Sequence, residues 1–472
     1  MDQRETPLFD ALMKYQNDQQ YSFHVPGHKD GLTFLGRGKD LYKSILSIDG
    51  TEVIGLDDLY EPAEAILRAQ ELLKELYKTV KSYFLVNGST VGNLAMIMST
   101  CKPGDKVLVQ RDSHKSIFNA LKLARVKPVF ISPEVSEVTQ ISTGLSKEAL
   151  LLAFNEHPDA KALVLTYPNY YGIAKEDYPE IIGHAKEKGL LVLVDEAHGA
   201  HFILGQTVPP SALQMGADIV VQSAHKTLPA MTMGSYLHVN SKSVLTGNVE
   251  SALELLQTSS PSYPIMASLD LARAYLASID REKLQIILNK IDHFRHSLEQ
   301  IGLKIINDRA GHQDPFKLIL ASNVGGFQLQ ESLERAGLYP EMADPNHVLL
   351  TLPIDDQIPI ERLTPLFKIA FRDLPAKNNK GKISVFYPVE KLSRLAVTYE
   401  DAANLIKESV PLEESEGLVA AQMVVPYPPG IPLLIDGERI LKAHIEQVKM
   451  LRRAGAKFHG LKKDQTILVY KK

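Results

Sequence analysis

The chain has 472 residues, 44% of them hydrophobic, and 52 Lys+Arg against 56 Asp+Glu give a formal net charge of −4. That balance lacks the basic face that nucleic acid requires, so nucleic acid is not expected as a partner. A single cysteine, Cys101, excludes an intrachain disulfide, and no stretch approaches roughly 18 uninterrupted apolar residues, so no membrane span is expected.

The chain opens "MDQRETPLFDALMKYQ", without the basic start and long apolar run of a signal peptide. With one thiol, this points to a reducing, cytoplasmic location. The first 60 residues, including "FHVPGHKDGLTFLGRGKD", read as an extended arm with one or two short helices. From about Pro62 the pattern becomes regular. "AEAILRAQELLKELYKTV" has helical period, "SYFLV" is a strand, and "NGST" is a turn that opens the helix "VGNLAMIMSTC". Strands then alternate with helices: "DKVLVQ", "KPVFI", "KALVLTY", "LLVLVDE", "ADIVVQS" and "GSYLHV" complete about seven strands between Ser82 and Val239. Several are continuous apolar runs, which predicts an α/β fold with a mostly parallel seven-stranded sheet between helices. Beyond Val239 come two helices separated by "QTSSPSYP", then the long helix "REKLQIILNKIDHFRHSLEQIG". A domain change is expected near residue 300 and a weaker one near 375–380, at "PAKNNKGKISVF". The expected division is an arm (1–60), a large domain (61–300) and a smaller α+β part (301–472).

Ligands of open parallel sheets bind outside the carboxyl ends of the strands. The residues that follow the strands are Asn87-Gly88-Ser89-Thr90, Arg111-Asp112-Ser113-His114, Pro168-Asn169-Tyr170-Tyr171, Asp195-Glu196-Ala197-His198 and Ser223-Ala224-His225-Lys226. Singly each has an ordinary explanation. Gly88-Ser89-Thr90 is most simply a helix cap, His114 a cap or surface residue, and Asp195 a cap for the next segment. Together they supply a phosphate site at a helix start, a carboxylate, an imidazole and a lysine at one sheet edge. That set is what pyridoxal 5'-phosphate requires. The Asp195–Lys226 spacing, with one helix-sized crossover, suits two neighbouring strand ends.

These segments resemble the fold-type I pyridoxal-phosphate enzymes, and within them the prokaryotic ornithine/lysine/arginine decarboxylase family. The likeness lies in "FHVPGHKDG", "DDLYEPAEAILRAQE", "VNGSTVGNLAMI", "RDSHKSI", "YPNYYG", "VDEAHGAHF", "SAHKTL", "SSPSYPIMASLD" and "PYPPGIPLL". The resemblance implies decarboxylation of arginine, lysine or ornithine to the corresponding amine. It makes Lys226 the Schiff-base lysine, Asp195 the partner of the pyridine nitrogen and His114 the ring-stacking residue. Gly88, Ser89, Thr90, Ser223 and His225 would hold the phosphate, and His198 would lie by the cofactor. Ser259 and Ser260 would reach the partner subunit's phosphate, implying a homodimer or higher homo-oligomer with shared active sites. A short form without the N-terminal wing domain of the large members is expected, and Asp436 stands where many members carry proline. Another fold-type I reaction, such as transamination or elimination, would keep the same lysine and aspartate. A non-catalytic member is the remaining alternative. For the substrate's basic tail, Glu438, Asp436, Glu52, Asp57 and Asp58 are candidates.

Overall fold

The computed structural model describes the chain apart from residues 19–20, 35, 206–207, 307–311, 373, 375–389, 428–429, 463 and 472. The boundary expected near 375–380 lies outside the described residues. All seven expected strands form: β1 (Lys81–Leu85), β2 (Lys106–Gln110), β3 (Lys127–Ile131), β4 (Ala162–Thr166), β5 (Leu191–Asp195), β6 (Ile219–Gln222) and β7 (Ser235–Val239). A further strand, β8 (Leu392–Arg394), comes from the C-terminal half. The chain folds as two compact units that interleave along the sequence.

The first unit comprises Met1–Thr100, Leu193–Leu204 and Pro210–Lys283. Here β7 lies antiparallel between β1 and β6, with Leu237 opposite both Tyr83 and Val221. The end of β5 runs parallel to β6, with Asp195 level with Val221. The reversal at β7 has a local cause. The connection Ser223–Gly234 holds only a four-residue helix, Ala224–Thr227, too little for the crossover that a parallel return needs. The link from β5 to β6 also differs from expectation. Among its described residues it holds a short 3₁₀ turn, Phe202–Leu204, and no α-helix.

The helix Pro7–Asn17 is packed into this unit, with Leu8 and Leu12 fully buried. A buried ion pair holds it there. Arg273 contacts Asp270 at 2.6 Å and donates to the carbonyls of Gln3 and Glu5, while Asp270 accepts from Leu8 N–H. The helix Gly88–Thr100 follows β1 directly and lies close on the sheet. A Cβ at Gly92 would stand 2.7 Å from Leu85 Cδ1 and from Val221 Cγ1, so the approach depends on a bare Cα.

The second unit comprises Cys101–Val192, Gly205–Pro209 and Leu284–Lys472. Its strands β4, β2 and β3 are parallel neighbours, and β8 joins β3 antiparallel. Downstream lies an antiparallel sheet of Lys304–Ile306, Lys317–Ala321, His347–Thr351 and Met342–Ala343. A C-terminal pair, Lys407–Pro411 with Thr466–Tyr470, packs around Val424, Ile440, Ile467 and Val469. Among the described residues, no helix is long and apolar enough to cross a membrane.

Gly92→Ala should lower the thermal unfolding midpoint, at a cost of about 1–3 kcal/mol for overpacking. It should also loosen the groups that the helix Gly88–Thr100 carries. Unchanged unfolding and unchanged cofactor retention would show that the close approach has no such role.

Candidate active site

The lysine-bearing site is built within the first unit. β6 is buried along its length and ends at Gln222, and Ser223 then starts the short helix Ala224–Thr227 that carries His225 and Lys226. Lys226 Nζ lies 3.0 Å from His198 Nε2. His198 is buried and follows β5 by three residues, so the parallel pairing of β5 with β6 brings lysine and imidazole together.

Asp195 terminates β5 and is buried. Its Oδ2 accepts from Asn93 Nδ2 at 2.8 Å and its Oδ1 from Ala197 N–H at 3.2 Å. Burial pushes its carboxyl above the usual carboxylate range, and the charge of Lys226 and the two donors pull the other way. The site therefore favours a cationic N–H donor beside this carboxylate.

Three hydroxyls meet at the start of the helix Gly88–Thr100. Ser89 Oγ is 2.5 Å from Ser223 Oγ and donates to Ser235 Oγ at 3.2 Å. All three serines are buried. Gly88 opens the helix at φ +74°, in the left-handed region that favours glycine, and donates its N–H to Met233 O at 2.9 Å. Hydroxyls, first-turn N–H groups and the positive helix end converge as a phosphate site requires. The residues present fit pyridoxal phosphate on three counts: a buried carboxylate, a lysine one strand away and a hydroxyl cradle.

The other residues expected at the site have these surroundings. Thr90 is exposed, and His225 Nδ1 is 3.0 Å from Gly234 O, so that ring secures the entry to β7. Ser259 and Ser260 are exposed on the loop before the helix Tyr263–Ala277, and the neighbouring Thr258 N–H donates to Asn87 Oδ1 at 3.2 Å. His114 belongs to the second unit. There it caps the helix Lys115–Leu123 through Ser116 N–H, and the tail segment bearing Gly430 packs on its ring. Four of the five acidic candidates for a substrate's basic tail already serve local structure. Glu438 pairs with the buried Arg111 at 3.0 Å. Asp436 pairs with Lys122 and accepts from Tyr470. Asp57 accepts N–H groups leading into the helix Ala65–Tyr77, and Asp58 accepts from Tyr60 N–H. Glu52 is exposed and accepts from Thr51.

Asn93 and Ser235 were not singled out from the sequence. The available signal for Asn93 was an amide inside the apolar helix "VGNLAMI", four residues after Ser89 and so on the same helix face.

A family model described as Orn/Lys/Arg decarboxylase, major domain, matches residues 6–317, and one described as Orn/Lys/Arg decarboxylase, C-terminal domain, matches residues 388–468. The chain is 44% identical to a Bacillus subtilis (strain 168) protein named "Uncharacterized protein YaaO", covering 98% of each chain. It is 35% identical to an arginine decarboxylase of the same organism, covering 98% of this chain and 96% of that one. The solved Francisella novicida lysine decarboxylase LdcF aligns with a TM-score of 0.83 at 20% identity, over 98% of this chain and 81% of that one, a likeness of fold. Fold and site define a fold-type I pyridoxal-phosphate enzyme. The chain belongs to the Orn/Lys/Arg decarboxylase family, and its reaction is the decarboxylation of a basic amino acid.

Next to Asp195, the side chain of Glu196 is fully buried. It accepts from Ser211 Oγ, Ala212 N–H and Gln222 Nε2. Burial lifts its pKa from the ordinary 4.5 to about 8 against these three donors. The folded protein therefore holds a proton that the unfolded chain has released, and stability falls as pH rises from about 4.5 to 8. Glu196→Gln should flatten this fall by a few kcal/mol, read from urea unfolding of the cofactor-free protein across that range. An unaltered pH slope would show that Glu196 is ionised throughout.

Proposed function

We propose that Lys226 is the covalent attachment point of pyridoxal phosphate and that arginine is the preferred substrate. The observation that carries the residue assignment is the buried Asp195, anchored by Asn93, one strand from Lys226. Bound, the cofactor supplies an aldehyde that takes up an amine and a ring that stores the electron pair left when CO2 departs. Asp195 keeps a proton on the pyridine nitrogen. Ser89, Ser223 and the first-turn N–H groups after Gly88 hold the phosphate, with Ser235 fixing the orientation of Ser89. Lys226 Nζ, beside His198 Nε2, takes and returns protons near the substrate's α-carbon after the substrate amine has replaced it. Arginine is favoured because four relatives named arginine decarboxylase are 32–35% identical over 93–98% of this chain, whereas two lysine decarboxylases and the biodegradative arginine decarboxylase of Escherichia coli (strain K12) are each 23% identical. A cytoplasmic location and the division into arm (1–60), cofactor-binding domain (61–300) and smaller C-terminal part (301–472) belong to the same reading.

Arginine, lysine and ornithine supplied side by side should yield CO2 and chiefly agmatine. In Asp195→Asn, turnover should drop on the order of a hundredfold or more, the scale of a lost electrostatic stabiliser, while bound cofactor changes much less. Near-normal turnover by this variant, or a keto acid as the product, would contradict the assignment.

The active unit we propose is a homodimer, or an oligomer of dimers, in which Ser259 or Ser260 completes the partner's phosphate site. Two observations support this. Both serines are exposed in the single chain, and so are Phe23 and Ile54, apolar side chains of a kind that partner surfaces cover. Mixing inactive Lys226→Ala with a variant carrying Ser259→Ala and Ser260→Ala should restore activity after subunit exchange. In the mixed dimer, one site has an intact lysine and an intact loop. No recovery despite proven exchange would refute the shared site.

A further inference from the structure

Within the second unit, His114 is held from two sides. Its own helix start holds the first: Nδ1 accepts from Ser116 N–H at 3.3 Å and lies 2.8 Å from Ser116 Oγ. Gly430, from the C-terminal segment, meets the second. A Cβ added there would stand 3.2 Å from His114 Cδ2 and 3.3 Å from Nε2, and its φ is +91°. Glycine alone combines that backbone conformation with so close an approach to the imidazole.

The segment that brings Gly430 there is tied down on both flanks of His114. Before it in the chain, the buried Arg111 donates to Pro432 O at 2.7 Å and to Leu433 O at 3.1 Å. After it, Lys115 N–H donates to Gly430 O at 3.2 Å. Tyr427 backs the same backbone, since a Cβ on Gly430 would stand 3.6 Å from its Cδ2. The strand Val425–Tyr427 pairs antiparallel with Lys457–His459, with Val425 opposite His459. That register makes Tyr427 and His459 diagonal neighbours on one face, and their rings stack at 4.8 Å and 15°. Lys115 Nζ lies 5.6 Å from the centre of the same tyrosine ring. Tyr427 is 47% exposed, so burial in the core does not account for its place.

We propose that Tyr427 and Gly430 are positioning residues for the decarboxylation: they set the place of the His114 imidazole, and His459 holds Tyr427. The proposal rests on the reading of His114 as the residue that stacks on the cofactor ring. Stacking between rings depends on their offset and separation. A group misplaced by about 1 Å can cost on the order of a hundredfold in rate. The C-terminal segment thus acts on turnover through His114, without itself touching the reacting atoms.

The test compares Tyr427→Leu, Tyr427→Phe and His459→Leu, with thermal unfolding to establish that each variant folds. If Tyr427→Leu does not, His459→Leu, on the exposed side of the stack, carries the same measurements. Histidine-labelled NMR spectra of the cofactor-free protein identify His114 by the signal lost in His114→Ala. Tyr427→Leu and His459→Leu should shift that signal, and Tyr427→Phe, which keeps the ring, should restore it. In the cofactor-loaded enzyme, Tyr427→Leu should lower kcat about tenfold or more with KM little changed, and should alter the circular dichroism of the bound cofactor. In a His114→Ala background the same substitution should cost little more, because the two residues act as one. A His114 signal that does not move, or losses that add in the double variant, overturn the proposal. Failure of the underlying reading is a separate observation and takes the proposal with it: His114→Ala with the turnover and cofactor dichroism of wild type, whatever the cofactor-free spectra show.

Discussion

A carboxylate at the buried end of a strand is the constraint around which this site is arranged. Removing a charge from water is expensive, and among the described residues Asp195 has only Asn93, one backbone N–H and the nearby Lys226 to offset it. With so few donors, burial keeps its carboxyl ready to hold a proton or to face a cation. A pyridinium N–H supplies both at once, and in a low-dielectric site that pairing is stronger than at a surface. The feature that looks unfavourable in the isolated chain is the one that would select the protonated ring.

The hydroxyl cradle depends on strand direction. Ser223 follows β6 and Ser235 begins β7. These strands are antiparallel, with Gln222 opposite Tyr236, so the exit of one and the entry of the other share an edge. Ser89 arrives at that edge from the helix start after β1. The helix reaches it because Gly92 lets it lie against Leu85 and Val221. A parallel return after β6 would carry Ser235 to the opposite edge of the sheet. The shortness of the Ser223–Gly234 connection is thus a condition of the site as well as of the topology.

Much of this was legible in the sequence, for a physical reason. Strands buried on both faces read as unbroken apolar runs, so polar residues immediately after them stand out, as Asp195 and Lys226 do. Partners that arrive from elsewhere in the chain carry no such mark. Asn93 looks like any polar residue on a helix until its register with Ser89 is combined with the strand order. Glu438 and Asp436 read most simply as structural or solvated acids, but nothing in their own segment announces that Arg111, Lys122 or Tyr470 is the partner. The β5–β6 link was expected to be helix-sized from its length alone, but its described residues are filled by turns around the buried Glu196.

Asp195 and Glu196 show how neighbouring acids acquire different properties. Successive side chains of a strand point to opposite faces. Glu196 faces Ser211, Ala212 and Gln222, and the chain of contacts runs on to His238, which burial holds neutral by pushing its pKa down to about 3, and to Ser82. Every hydrogen-bond group in that chain is neutral, so among the described residues Glu196 finds donors but no cation, and its proton is the least costly answer to burial. Asp195 has fewer donors but lies in the field of Lys226. The two carboxyls differ by one methylene, and their environments separate them into a proton-holding structural group and a group suited to a charged ring. Exchanging these roles would require moving the lysine to the other face of the sheet, so the placement of Lys226 decides which acid belongs to the site.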